Sequence, residues 1–372
     1  MSWAGLLEEL QIVGRSATGG TTRLPWTGEL READEWFAGR ARAGGLAVER
    51  DPAGNLWAVP DAPGPWWGVG SHLDSVRAGG AWDGALGVAA GFEVARRSQR
   101  PVAVISFADE EGARFNTPTF GSRALTGRLD PAVLDRVDQD GVALRDALAA
   151  YGVDPAGIVR APEWLGRLSG FLELHIDQSR AVWDLGVPAA TVSGLAARMR
   201  LRARAQGRAN HAGTTSMEDR SDALRAMAVQ IVRATAVASP MRATATRMVV
   251  EPNALSTIPD HVTAWFDCRG PRPGDLDGWL ASIWDDWPSG ACEVESRSDG
   301  VEFDGGVRAA LGGPEVPCFA GHDAGMLAAR IPAGMVLVRN ERGVSHAPDE
   351  RIEVADADAG IAMLVRALER LP

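Results

Sequence analysis

The chain of 372 residues contains no lysine, and all 38 of its basic side chains are arginine. This absence excludes Schiff-base chemistry, attachment of pyridoxal phosphate and a phosphate-binding loop of the Walker type, because each needs a lysine amine. Any recognition of a carboxylate by a cationic side chain therefore falls to arginine, whose planar guanidinium suits that task.

Cysteine is also scarce. The three cysteines are Cys268, Cys292 and Cys318, and no two of them have C-x-x-C spacing. This pattern argues against a zinc knuckle and against a disulfide framework, and it predicts small buried thiols instead.

Long apolar runs and excess positive charge are missing as well. No run approaches the roughly 18 apolar residues that a membrane span needs, and residues 1–15 lack the pattern of a signal peptide. We therefore expect a cytoplasmic protein with no membrane partner. The net charge of −11 and the absence of an evident basic stripe argue against a nucleic-acid partner.

Two catalytic signatures are not found. The sequence has no G-x-S-x-G elbow of a serine hydrolase and no G-x-G-x-x-G turn after a strand. What it does have is an alternation of apolar strands and amphipathic helices, including a continuous apolar run at 102–108 that is typical of a strand buried on both faces. This alternation predicts an α/β fold with a layered sheet.

The pattern changes near Gly186 and returns near Gly300. We interpret residues 1–185 plus 300–372 as one domain and residues 186–299 as a smaller inserted α/β domain. The length of the chain is consistent with more than one domain.

Five of the six histidines lie in short motifs beside carboxylates. The motif residues that we expect to converge are His72, Asp74, Asp83, Glu110, Glu111, His175 and His346. Several of them directly follow predicted strands, and ligands bind at the carboxyl edge of such sheets. Imidazole and carboxylate together suit zinc, manganese, cobalt or nickel. A neighbouring carboxylate can serve as general base, and Asp74 can fix the tautomer of His72.

Each motif also has a simpler interpretation. Asp83 is placed to be a helix N-cap rather than a bridging ligand. Glu110 and Glu111 would form a solvated acidic turn, but the apolar strand that leads into them argues against this. A histidine at a strand end, such as His175, is by itself more often a core residue. His261 is interpreted as a surface residue. His322 either lies behind the metal ligands and supports them, or has no role in the metal site.

The motifs taken together resemble the M20-type metallohydrolases. The resemblance is to the branch that holds allantoate amidohydrolases, N-carbamoyl-L-amino-acid hydrolases and β-ureidopropionases. It runs from about Gly54 to Glu350, and the segments that carry it are Gly-Ser-His-Leu-Asp-Ser-Val at 70–76, Asp-Glu-Glu-Gly-Ala-Arg-Phe at 109–115, Glu-Leu-His-Ile-Asp-Gln at 173–178, His-Ala-Gly-Thr-Thr at 211–215 and Gly-His-Asp-Ala-Gly at 321–325.

The resemblance implies a role for each residue. It implies a metallopeptidase-like catalytic domain with two divalent metal ions, Mn²⁺ or Zn²⁺ with Co²⁺ or Ni²⁺ as alternatives, held by His72, Asp83, Glu111, His175 and His346. Asp83 would bridge and Glu110 would be the general base. His211 would steady the oxyanion from the partner subunit of a homodimer. The substrate would be bound by Gln178, Asn253, Ser256 and Arg269. Of these, Arg269 would bind the carboxylate of the substrate. The insertion would be a lid and dimerisation domain.

The chain departs from the family pattern in its substrate residues. Asp177 stands where Glu is usual, Ser179 where Gly is usual, and Ser256 where an Asn is expected, although Asn253 is nearby. Asp260 replaces a Gly. These departures concern the identity of the substrate more than the type of reaction.

We therefore expect a dinuclear metal amidohydrolase that acts on a small carboxylate substrate. The segments Ala17-Thr18-Gly19-Gly20 and Val336-Leu337-Val338-Arg339-Asn340 favour allantoate, which would give ureidoglycine, ammonia and carbon dioxide. An N-carbamoyl-L-amino acid is the alternative substrate. Aminoacylase or peptidase activity and a non-catalytic binding protein are less favoured, the latter because all the ligands and the base are present.

Overall fold

A computed structural model describes residues 2–17, 19–284 and 291–372 of the chain. The helices are α1 (Trp3–Leu10), α2 (Gly28–Ala43), α3 (Ala85–Arg97), α4 (Phe120–Leu125), α5 (Leu144–Tyr151), α6 (Ala181–Asp184), α7 (Ala223–Thr235), α8 (Pro273–Trp284), α9 (Gly305–Leu311), α10 (Asp323–Leu327) and α11 (Val354–Arg370). The strands are β1 (Ala47–Arg50), β2 (Leu56–Val59), β3 (Trp66–His72), β4 (Val102–Phe107), β5 (Leu168–Ile176), β6 (Ala189–Leu195), β7 (Ala197–Gln206), β8 (Arg242–Glu251), β9 (His261–Gly270), β10 (Cys292–Ser298), β11 (Val301–Glu302), β12 (Glu315–Cys318) and β13 (Ala333–Val338). The predicted α/β class is confirmed.

The chain forms two compact units. The first comprises residues up to Gly194 together with Glu302–Val316 and Ala320–Pro372, and the second comprises Leu195–Val301 with Pro317–Phe319. Strand β6 lies inside the range that the sequence assigned to the insertion, but it pairs with β13 of the larger sheet. The assignment of residues 186–299 as a lid and dimerisation domain stays a prediction.

The first unit contains a large mixed sheet with strand order β1-β2-β4-β3-β5-β13-β6-β11, and β12 also pairs with β6. Strands β4, β3, β5 and β13 run parallel to one another. Every residue of β4 is buried, as its largely apolar sequence, interrupted by Ser106, predicts. Because these strands are parallel, the residues at their carboxyl ends meet at one edge of the sheet, and His72, the last residue of β3, lies there.

Helix α3 packs closely on this sheet because its buried face is built from small residues. A Cβ at Gly87 would overlap the carbonyl of Leu174 in β5 and would lie 2.6 Å from the side chain of Ser71 in β3. Glycine at this position therefore lets the helix lie against two central strands. The N-terminus of α3 consequently starts directly beside the strand ends that carry the histidines.

The second unit contains an antiparallel sheet with order β10-β7-β9-β8. Burial alternates along β7, and its inward residues, such as Met199 and Leu201, form a core with Phe266 and with Trp279 of α8. The outward residues of β7 are Arg198, Arg200, Arg202 and Arg204. No basic stripe was evident in the sequence, but β7 carries one, because the period of two along a strand places these arginines on one face.

No helix among the described residues has both the length and the apolar character that crossing a membrane requires.

Candidate metal centre

Asp83 lies at the centre of the site, in the loop between β3 and α3. The alternative interpretation of Asp83 as an N-cap is wrong, because the cap position is taken by Gly84 and no side chain caps α3. Gly84 has a φ of 65°, and a Cβ there would overlap the imidazole of His72. Only glycine fits this turn, and the turn leaves the carboxylate of Asp83 free to face the histidines.

One oxygen of Asp83 faces two buried histidines. Its Oδ1 lies 3.1 Å from Nε2 of His175 and 3.4 Å from Nε2 of His72. The Nδ1 atom of each ring lies 3.0 Å from a backbone carbonyl, that of Ile176 for His175 and that of Asp74 for His72. Because each Nδ1 is held by a carbonyl, Nε2 is the ring nitrogen that each histidine turns toward Asp83, and neither Nε2 has a hydrogen-bond partner among the described residues.

The other oxygen of Asp83 faces a second pair of donors. Its Oδ2 lies 3.5 Å from Nε2 of His346, and the same nitrogen lies 3.4 Å from Oε1 of Glu111. The side chain of His346 is 46% exposed, whereas those of His72 and His175 are 1% exposed. The second donor group is therefore open to solvent and the first is not.

Glu110 lies next to these groups without belonging to either of them. Its Oε2 is 3.8 Å from Nε2 of His72. The carboxylate of Asp74 accepts the backbone N–H groups of Glu110 and Glu111, at 3.1 Å each. The expectation that this carboxylate fixes the tautomer of His72 is corrected here, because the backbone carbonyl of Asp74 accepts the ring proton while the carboxylate orients the two glutamates.

The charges of the site perturb one another strongly. Burial opposes ionisation of Asp83, but the opposite charges of His175 and His72 hold its pKa well below the usual range. Burial raises the pKa of Glu110 well above its ordinary value, against the effect of His72. Burial also raises the pKa of Glu111 to about 8, with a further contribution from Asp83. Several carboxylates that are buried close together are stable only when nearby positive charge compensates them.

The donors present fit divalent cations. Two clusters that share Asp83 have ligand atoms that all lie within 4.8 Å of one another, His72–Asp83–His175 and Asp83–Glu111–His346. The Nε2 atoms of His72 and His175 are buried without hydrogen bonds among the described residues, as expected of nitrogens that are available to bind a metal. The mixture of imidazole and carboxylate suits zinc, manganese, cobalt or nickel.

Sequence reasoning missed Glu350 as a member of this site. Its carboxylate accepts the backbone N–H groups of Trp82 and Asp83, at 3.0 and 2.9 Å, and the hydroxyl of Ser345 at 3.2 Å. Glu350 thus ties the loop of Asp83 to the segment that carries His346. The only sequence signal was its place four residues after His346, and nothing in the sequence connects it to residue 83.

Gln178 and Ser345 also contact Asp83, the residue expected to bridge the two metals. The amide of Gln178 donates to Oδ2 of Asp83 at 2.8 Å, and the hydroxyl of Ser345 donates to the same oxygen at 2.9 Å. Gln178, predicted to bind substrate, therefore lies in the site next to the metal candidates. The departures Asp177 and Ser179 pair with each other, because the hydroxyl of Ser179 donates to Asp177 at 2.6 Å.

His322 lies behind His175, with ring centroids 4.4 Å apart, and it is 2% exposed. It also forms a cluster of donors with Glu173 and His175. Burial, together with the charge of His175, lowers the pKa of His322 well below its ordinary value. The side chain of Glu173 is held by the hydroxyl of Ser71 at 2.6 Å and the N–H of Ala324 at 2.9 Å.

The remaining predicted substrate residues lie in the second unit. His211 is exposed, and its Nδ1 accepts the N–H groups of Gly213 and Thr214 at 3.1 and 3.2 Å. These bonds place the ring proton on Nε2, which makes His211 a hydrogen-bond donor toward solvent. The backbone N–H of Ala212 donates to the carbonyl of Ser256 at 2.7 Å.

The other candidates of this unit have different surroundings. Arg269 donates from Nε to Asp267 Oδ1 at 2.9 Å and from NH1 to the carbonyl of Phe319. Asn253 is exposed in the loop after β8, with a φ of 53°. His261 is exposed at the start of β9, with its Nδ1 3.1 Å from Asp260. Of the segment Ala17-Thr18-Gly19-Gly20, Thr18 lies outside the described residues.

An α/β sheet whose strand ends carry two adjoining groups of imidazole and carboxylate donors has the arrangement of a metal-dependent hydrolase. Comparison with known proteins makes the class specific. Residues 58–370 match the model of peptidase family M20/M25/M40, and the chain belongs to this family. It is an amidohydrolase of the carbamoylase and allantoate amidohydrolase group.

The similarity to known proteins extends over nearly the whole chain. An N-carbamoyl-L-amino acid amidohydrolase of Geobacillus stearothermophilus is 34% identical, over 99% of this chain and 97% of that protein. An allantoate amidohydrolase of Bacillus subtilis is 28% identical, over 98% and 96%. The crystal structure of a hydantoinase/carbamoylase family amidase from Burkholderia ambifaria superposes with a TM-score of 0.85 and 30% identity, over 99% of this chain and 97% of that one. The family resemblance seen in the sequence is confirmed.

Proposed function

We propose that the chain is a dinuclear metal-dependent enzyme that hydrolyses N-carbamoyl-L-amino acids to the amino acid, ammonia and carbon dioxide. The observation that carries this proposal is the position of Asp83, whose two oxygens face two separate donor groups while Glu110 stands beside them. His72 and His175 would hold one cation, Glu111 and His346 the other, and Asp83 both. Cations bound there polarise the substrate carbonyl and acidify water.

The chain's own residues account for the movement of protons. Glu110 is not needed as a ligand, so its carboxylate is available to take a proton from water and to deliver it to the departing nitrogen. Asp74 positions Glu110 by accepting its backbone N–H at 3.1 Å. His211, with its proton on Nε2, would donate a hydrogen bond to the oxyanion that develops on the carbonyl oxygen.

Arg269 would bind the carboxylate of the substrate, with Gln178, Asn253 and Ser256 around the rest of the molecule. Because the chain has no lysine, an arginine is the available cation. The native metal would be Mn²⁺ or Zn²⁺, with Co²⁺ or Ni²⁺ as alternatives. We retain the cytoplasmic location as a prediction.

A homodimer belongs to the proposal, because His211 is expected to act on the partner's site. Strand β8 is an edge of the sheet in the second unit, and it exposes Met248 and Val249. Helix α7 of the same unit exposes Val229 and Val232, at 50% and 69%. Among the described residues β8 pairs with a strand on one side only, and such a strand edge together with an apolar helix face is suited to pairing with a second copy.

Allantoate is the second candidate substrate. It is favoured by the segments noted in the sequence and by the 28% identity to the Bacillus subtilis allantoate amidohydrolase. The order of the two candidates follows the higher identity, 34%, of the N-carbamoyl-L-amino acid amidohydrolase.

A substrate panel tests the proposal. Metal-reconstituted protein is assayed for ammonia release with allantoate, with several N-carbamoyl-L-amino acids and with N-acetyl amino acids and dipeptides as controls. We expect the highest kcat/KM with a carbamoyl substrate. A preference for the acetyl or peptide substrates would contradict the proposal, and a preference for allantoate would reverse the order of the two candidates.

A further inference from the structure

Three arginines lie side by side on the open face of the sheet in the second unit. The strand register places Arg198 of β7 directly opposite Arg269 of β9, and Arg269 directly opposite Arg242 of β8. Directly opposite residues of antiparallel strands have their side chains on the same face, with Cβ atoms about 5 Å apart. Like charges in this arrangement repel, so the row is stabilised by any anion that binds to it.

The carboxylates nearby do not neutralise the row. Asp267 contacts Arg269 at 2.9 Å and Arg200 at 3.2 Å, so its single charge is divided between two arginines. Among the described residues, no carboxylate oxygen lies within 4 Å of Arg198 or Arg242. The row therefore keeps an excess of positive charge in a chain whose net charge is −11.

The donors that remain free belong mainly to Arg198. Its Nε is buried and has no hydrogen-bond partner among the described residues. Arg269, in contrast, already uses its Nε–H for Asp267 and one N–H of NH1 for the carbonyl of Phe319, so only NH2 keeps both of its N–H groups free. Both nitrogen pairs with which Arg269 could bind a carboxylate, Nε with NH2 and NH1 with NH2, therefore contain a nitrogen that is already engaged, and Arg198 beside it supplies further donors.

Phe319 holds the third arginine near the same place. The guanidinium of Arg242 lies 4.0 Å from the centroid of the Phe319 ring, while the carbonyl of Phe319 accepts from Arg269. One residue thus fixes two of the three cations. Burial, together with the charge of Arg200, lowers the pKa of Arg198, but a guanidinium stays charged at neutral pH.

We infer that Arg198, Arg242 and Arg269 form a recognition site for a substrate with two carboxylates, the N-carbamoyl derivative of a dicarboxylic L-amino acid. The inference rests on the proposed function and names the substrate class within it. Arg269 and Arg198 take one carboxylate, and Arg242 with the free donors of Arg198 takes the other. The spacing of neighbouring strands, about 4.8 Å, is comparable with the separation of two carboxylates on a short side chain.

Isosteric substrate pairs test this inference. The kcat/KM for N-carbamoyl-L-aspartate is compared with that for N-carbamoyl-L-asparagine, and the glutamate derivative with the glutamine derivative. A charge-assisted hydrogen bond gives a preference of roughly 10- to 100-fold for the acid over the amide. Arg198→Gln should reduce this ratio toward one. The control variant is Arg247→Gln, because Arg247 lies on the same face over the ring of Trp265 and should leave the ratio as it is.

Two results would overturn the inference while the proposed function stands. One is equal kcat/KM for acid and amide in the unsubstituted protein, and the other is an unchanged ratio in Arg198→Gln. Circular dichroism and thermal melting of both variants establish that they fold. Since removal of Arg198 relieves repulsion within the row, we expect no loss of melting temperature.

Direct binding decides the matter even if no carbamoyl compound is hydrolysed, an outcome that would refute the proposed function alone. Titration calorimetry of the full chain compares succinate with its monoamide, succinamate. We expect roughly tenfold or tighter binding of succinate, and loss of that difference in Arg198→Gln. Equal binding of the two compounds would overturn the inference. Inorganic phosphate that binds as tightly as succinate would also overturn it, because the row would then be a general anion site.

Discussion

Asp74→Asn should impair catalysis although Asp74 is not expected to touch a metal or the substrate. The carboxylate of Asp74 accepts two backbone N–H groups, those of Glu110 and Glu111, at 3.1 Å each. An asparagine keeps one acceptor oxygen and presents its NH₂ group to the second N–H. One of the two glutamates therefore loses its hold, and a buried donor is left without a partner.

The magnitude follows from these contacts. A hydrogen bond to a charged group contributes roughly 1.5 to 3 kcal/mol. Arg23 is 1% exposed, and burial lowers its pKa to about 10 while the charge of Asp74 opposes that effect. Asp74→Asn removes this charge as well. We expect the free energy of unfolding to fall by about 2 to 4 kcal/mol and kcat to fall roughly 100-fold through displacement of Glu110.

Urea unfolding and ammonia release measure the two effects, with metal content determined on the same sample. The matched control is Asp130→Asn, because Asp130 accepts a single backbone N–H, that of Ala132, at an exposed position. The control should change stability by less than about 1 kcal/mol. A folded, metal-loaded Asp74→Asn protein with unchanged kcat would refute the positioning role.

Three further predictions concern the base, the dimer and the thiols. Glu110→Gln should keep two metals and lose about 10² to 10⁴-fold in kcat, whereas Glu111→Gln should lose metal; exchanged phenotypes in metal analysis would reverse the two assignments. Subunit exchange between Glu110→Gln and His211→Ala proteins should restore about a quarter of the normal activity if His211 acts across a dimer, and no recovery after verified exchange would place it in its own chain. Burial raises the pKa of Cys268 to about 12, so iodoacetamide at pH 8 should label it only after denaturation; rapid labelling of the folded protein would contradict the burial.

The large sheet could be predicted well because its strands carry strong local signals. The apolar run at β4 predicted a buried strand, and the histidine near the end of β5 predicted that this strand ends at a polar edge. The expectation that a helix begins near Asp83 agrees with α3, which starts at Ala85. These signals depend on residues a few positions apart, which is the range over which sequence periodicity is informative.

The contacts that the sequence could not supply join distant segments. Glu350 and the N–H of Asp83 are 267 positions apart in the chain. The row of Arg198, Arg242 and Arg269 depends on the register of three strands, and a shift of one residue would move each side chain to the opposite face. His72 Nδ1 lies 3.0 Å from the carbonyl of Asp74 and 3.7 Å from its carboxylate, a difference that the sequence does not encode.

The central claim is that two adjoining donor groups, linked by Asp83, each hold a divalent cation that activity requires. The most direct measurement is a titration of exhaustively chelated protein with Mn²⁺, and separately with Zn²⁺, in which bound metal per chain and ammonia release are followed together. We predict that activity rises from zero and saturates at two equivalents per chain. Full activity in metal-free protein, or saturation at one equivalent, would contradict the account.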